Sequence, residues 1–79
     1  MKYILFEDFS GQPSPVLFSD KIRHEEMREQ LPYSTVLSAG YVEMTGETII
    51  CHGASKALGA QAEEGDAAII QQNLNPAEG

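Results

Sequence analysis

The stretch Thr35-Val36-Leu37-Ser38-Ala39-Gly40-Tyr41-Val42-Glu43-Met44-Thr45-Gly46-Glu47-Thr48-Ile49-Ile50-Cys51-His52 decides the fold. Two runs rich in β-branched and aromatic residues flank the Thr45-Gly46 dipeptide. A two-residue link containing glycine predicts a tight hairpin, because glycine supplies the positive φ such turns need. The strands are expected at Thr35–Met44 and Glu47–His52. The turn pairs Met44 with Glu47, Val42 with Ile49, Tyr41 with Ile50, Gly40 with Cys51 and Ala39 with His52. Side chains alternate across a strand, so one face carries Gly40, Val42, Met44, Ile49 and Cys51. The other carries Ala39, Tyr41, Glu43, Thr48, Ile50 and His52. The first face is the better core, and the second is mixed.

Upstream, Tyr3-Ile4-Leu5-Phe6 reads as a strand. Ser10-Gly11, Pro13 and Pro15 supply turn chemistry, and Val16-Leu17-Phe18 returns beside the first strand. Ser19-Asp20 offers side chains that cap a helix start. Along Arg23–Leu31, the residues His24, Met27 and Leu31 fall on one side, and Pro32 stops the helix. So short a helix needs a sheet beneath Met27 and Leu31. Downstream, Gly53–Ala62 reads as a small-residue loop. Glu63-Glu64-Gly65-Asp66 opens a second helix, with Ala67, Ile70 and Leu74 at helical spacing and Ile69 alongside. Asn75-Pro76 ends it, and residues 75–79 are expected to fray. The expected architecture is one small α+β domain over residues 1–79. Two β-hairpins form an antiparallel sheet with two short helices, in the order ββαββα.

The chain has 79 residues, room for a single domain with a small core. Its one cysteine excludes an internal disulfide and suits a reducing compartment. No stretch approaches the ~20 apolar residues of a membrane-spanning helix, so a cytoplasmic location is expected. The formal net charge is −7, and it is uneven. Up to Arg28 there are 5 acids and 4 bases; from Glu29 onward there are 7 acids and one base, Lys56. Such a chain repels nucleic acid and anionic membrane and attracts basic surfaces. The same charge also serves solubility alone.

Catalytic and metal signatures are weak. Cys51 and His52 are adjacent on a strand, so they point to opposite faces and should not touch. One Cys and two His match no common zinc spacing. In Gly53-Ala54-Ser55-Lys56-Ala57-Leu58-Gly59 the lysine precedes the last glycine, the wrong order for a phosphate loop. The chain is therefore read as a binding protein and not an enzyme, with no cofactor and no metal. The candidate binding residues are Glu25, Glu26 and Glu29 on the first helix, Glu63, Glu64 and Asp66 at the start of the second, and Tyr41. Carboxylates one helical turn apart can imitate a row of phosphates, and tyrosine is a favoured interface anchor.

Three segments carry a resemblance: Ser38-Ala39-Gly40-Tyr41-Val42, Cys51-His52-Gly53-Ala54-Ser55-Lys56-Ala57-Leu58-Gly59, and Glu64-Gly65-Asp66-Ala67. They resemble small phage and prophage proteins of uncharacterised function. Those proteins share an S-A-G-aromatic segment, a C-x-G-x-S-x-x-L-G segment and an E-x-D-A helix start. The motifs are glycine- and core-dominated and imply a shared fold. Size and acidity are also similar to anti-CRISPR proteins, including inhibitors of the type I-C surveillance complex. That resemblance implies inhibition by DNA charge mimicry, a basic subunit of the surveillance complex as partner, and the host cytoplasm as location. The alternative expectation is a homo-oligomeric phage structural or regulatory protein.

Overall fold

The computed structural model describes residues 1–74. The expected fraying of residues 75–79 lies outside the described residues, as does the helix stop at Asn75-Pro76. The element order is β1 (Lys2–Glu7), β2 (Pro13–Phe18), α1 (His24–Gln30), β3 (Thr35–Thr45), β4 (Thr48–His52), β5 (Ala54–Ser55), β6 (Ala60–Gln61) and α2 (Asp66–Leu74). The main sheet is four-stranded and antiparallel, ordered β2-β1-β3-β4. The α+β reading holds. The order differs from ββαββα because a third, small hairpin, β5–β6, stands between β4 and α2.

Tyr3, Ile4, Leu5 and Phe6 on β1 are each at most 3 % exposed. Their unbroken apolar run reflects burial on both faces of a central strand. Tyr3 and Leu5 point to one face, where they meet Val42, Cys51 and Ile49 under Ile69 and Ile70 of α2. Ile4 and Phe6 point to the other, against Phe18, Ala39, Met27 and Leu31 of the α1 side and Leu58 and Ala60 of the β5–β6 hairpin. The two helices thus cover opposite faces. β1 and β3 pair through Tyr3–Gly40 and Leu5–Ser38, after which the register shifts to Phe6–Val36. Leu37 is the extra residue of that bulge, and it is left exposed.

The strand assignments and the two faces of the β3–β4 hairpin follow the sequence reading, but the register does not. The observed partners are Thr45–Thr48, Met44–Ile49, Glu43–Ile50, Val42–Cys51 and Tyr41–His52. The turn residues are Gly46-Glu47, with φ +60° at Gly46 and no positive φ at Glu47. Glycine at the first central position is the type II′ pattern. Moving the turn by one residue shifts each partner by two, so every side chain keeps its face.

The first helix also begins later than expected. Ser19 turns the chain instead, its Oγ accepting from the Lys21 N–H at 3.1 Å and its carbonyl from the Ile22 N–H at 3.0 Å. α1 starts after Arg23, whose N–H donates to the Glu26 carboxylate at 3.0 Å. That is half of a capping box. Leu31 is extended, as expected before Pro32. α2 starts at Asp66 and not at Glu63.

Gly40 is the tightest backbone approach in the sheet. A Cβ there would lie 2.6 Å from the His52 carbonyl oxygen and 3.3 Å from that of Gly53. Both neighbours are backbone, so the strand has no cheap way to give. Gly40→Ala should therefore destabilise the fold by about 1–3 kcal/mol, the usual scale of overpacking. Urea unfolding checks this; an unchanged midpoint would contradict the close approach.

Candidate functional site

The candidate residues separate into groups with different fates. Asp66 leaves the surface altogether. It is 3 % exposed, and its Oδ2 accepts a hydrogen bond from the buried Tyr3 hydroxyl and another, at 2.9 Å, from the Glu63 N–H. It therefore caps the chain entering α2 and ties that helix to β1. This corrects its reading as a partner-facing acid. The Tyr3 hydroxyl also neighbours the Cys51 thiol. Burial, then the adjoining Asp66 carboxylate, pushes the Tyr3 phenol far above its ordinary value. Burial, then the Asp66 charge, likewise raises the Cys51 thiol. Such a thiol is held protonated, the reverse of nucleophile activation.

On α1, Arg23 holds two of the three candidate acids. Its Nε lies 3.8 Å from Glu25 and 3.5 Å from Glu26. The Arg23 N–H bond and then the guanidinium lower the Glu26 carboxyl below its ordinary value. Glu29 is exposed and has no basic partner among the described residues. Glu63 and Glu64 are exposed and likewise unpaired. Glu29 lies on α1, whereas Glu63 and Glu64 precede α2, so the two sets sit on different segments.

Tyr41 is half-buried in a column of rings. It stacks on His52 at 5.9 Å and meets His24 edge-on at 5.6 Å; His24 meets Phe18 edge-on at 5.4 Å. His24 is buried, with Nε2 2.9 Å from the Gly40 carbonyl oxygen. His52 lies at the solvent end, 2.9 Å from Glu43. Both imidazoles thus lie on the sheet face opposite Cys51. Among the described residues no group of His, Cys, Asp and Glu is arranged to hold a metal ion. No described helix is long and apolar enough to cross a membrane.

Three of the basic residues come together. Lys2, Arg23 and Lys56 line one open groove of about 320 Å³ beside Tyr41, His24 and Glu25. Lys2 Nζ also donates to the Ile22 carbonyl at 2.9 Å. Among the described acids, only Glu25 and Glu26 reach a Lys or Arg side chain; Asp20 meets the N-terminal amine at 2.9 Å. Asp8 serves the β1–β2 turn, its Oδ1 accepting from the Ser10 N–H, Ser10 Oγ and Gln12 N–H at 2.7–2.9 Å.

Sequence reading missed the burial of Asp66, because its partner Tyr3 is 63 residues away. A usable signal was present: a lone Asp at the first helical position, downstream of a tyrosine in a fully apolar strand. No protein-family model, no curated protein and no solved structure matches this chain.

Tyr3→Phe should cost about 1.5–3 kcal/mol, the scale of a buried hydrogen bond to a charged group. The pH dependence follows from the raised phenol. The unfolded chain ionises Tyr3 near pH ~10 while the folded chain keeps it neutral. Its contribution is therefore intact below that pH and is lost as pH rises beyond it. Urea midpoints from pH 7 to 11 should fall steeply above about pH 10 in the wild type and more gently in Tyr3→Phe. Parallel profiles would show that the phenol does not carry the alkaline loss.

Proposed function

We propose that this chain is a phage-type binding protein that inhibits a host defence complex by occupying a basic, DNA-binding site through charge mimicry. One observation carries the reading: the negative charge is not neutralised within the fold. Glu29, Glu47, Glu63 and Glu64 are exposed with no Lys or Arg partner among the described residues. Three of the chain's five basic residues meanwhile line one groove, with Glu25 as its acid. Unpaired surface carboxylates keep their field, which steers and orients a basic partner. A DNA-binding groove rich in Arg and Lys is such a partner, because it is built to hold phosphates. The resemblance to small phage proteins and to type I-C anti-CRISPR proteins points the same way.

Of the candidate acids, three suit this role best. Asp66 is buried, and Glu25 and Glu26 are engaged with Arg23. The working set is Glu29, Glu63 and Glu64. Each surface reversal should change stability by less than about 0.5 kcal/mol. Opposite an arginine groove each converts attraction to repulsion and should weaken binding at least tenfold, or ~1.4 kcal/mol. Glu29→Lys combined with Glu63→Lys and Glu64→Lys is thus expected to melt near the wild-type temperature. It should lose binding to a purified type I-C surveillance complex and fail to block its DNA binding. Wild-type affinity in the triple variant would assign the acidity to solubility alone.

A further inference from the structure

Strand β4 has a neighbour on one side only, so the outer backbone groups of Thr48–His52 lack a strand partner. The sheet's opposite edge, β2, carries Pro13 and Pro15. A proline offers no N–H to an added strand, and this is a common way to protect an edge. β4 has no such protection: Thr-Ile-Ile-Cys-His contains no proline or lysine, and its pairing with β3 has no bulge. Exposed apolar groups collect here. Ile50 is 52 % exposed on one face, and Met44, paired with Ile49, is 44 % exposed on the other.

We propose that β4 is a homodimer interface, pairing antiparallel with β4 of a second copy about a two-fold axis at Ile50. A second copy fits this edge because the strand carries no Asp, Glu, Lys or Arg and centres on an exposed isoleucine. In this register Ile50 faces Ile50 of the second copy, Ile49 faces Cys51, and Thr48 faces His52. No carboxylate opposes another within the paired strand, and the exposed isoleucine meets an identical β-branched partner, a favourable cross-strand pair. Both sheets become one continuous sheet. The contact is the same patch on both copies, and the prolines of β2 guard the outer edges, so assembly closes at two copies. Each copy carries net charge −7, so mutual repulsion opposes pairing at low salt and is screened at high salt. Dimerisation therefore strengthens with salt, the opposite sign to binding of a basic partner. The inference is independent of the proposed function.

Sedimentation equilibrium at low and high salt reads the dimer fraction directly. It should rise with protein concentration and with salt in the wild type. Ile50→Lys should shift the protein to monomer with little change in melting temperature. A cross-link fixes the register. In a Cys51→Ala background, Ile50→Cys places two thiols across the axis, with Cβ atoms about 5 Å apart, and should oxidise to a covalent dimer. Thr48→Cys in the same background separates its thiols by ~13 Å and should not. Monomer under every condition would overturn the proposal, as would a dimer that survives Ile50→Lys or cross-links equally from Thr48→Cys. Protection of β4 amides from hydrogen exchange only after a basic partner is added would assign this edge to that partner instead, and so also overturn it.

Discussion

The Tyr3 hydroxyl reaches through the core to the Asp66 carboxylate, and the rest of the structure is arranged around that contact. Tyr3 sits on the central strand, buried on both faces; Asp66 begins the helix that closes one of them. A buried carboxylate is costly without partners. Here two donors satisfy it, the phenol and the Glu63 N–H, and the second also fixes the chain where it enters α2. One side chain therefore joins the first strand to the last helix and caps that helix. A small core gains specificity from such a tie, because apolar contacts alone set orientation loosely.

The same contact redistributes the surface charge. With Asp66 withdrawn and Arg23 engaged by Glu25 and Glu26, the exposed unpaired acids among the described residues are those of the α1 C-terminal end, the β3–β4 turn and the approach to α2. They sit on three separate segments of the chain. The charge mimicry proposed above would therefore rest on the field of separate carboxylates and not on a phosphate-like row. The aromatic column from Phe18 through His24 and Tyr41 to His52 has a structural part in this. It holds β3 against α1 and leaves Tyr41 half-covered, less available as an interface anchor than its residue type suggests.

Much of the fold was legible because burial writes itself into periodicity. The unbroken Tyr3–Phe6 run marked a strand, and alternation in residues 35–52 assigned both faces of the hairpin correctly. The register was not legible to the residue, since a two-residue turn containing Gly46 fits with glycine first or second, and both choices preserve the faces. The β5–β6 hairpin was hidden because two-residue strands of small side chains carry no period. The α1 start was misplaced because Ser19 chemistry suits a turn as well as a cap, and the turn won. Of the candidate site, the exposure of Glu29 followed from the apolar side of its helix, Met27 and Leu31. The fates of Asp66, Glu25 and Glu26 depended on Tyr3 and Arg23, partners that only the folded chain brings into position.

The proposal that unneutralised carboxylates form the working surface is open to direct test. Its most direct measurement is the association rate with a purified type I-C surveillance complex across a series of salt concentrations. Steered association between opposite charges predicts a rate that falls steeply as salt rises, with a dissociation rate that changes much less. A rate that is flat across the series, or no association at any salt, would contradict the account.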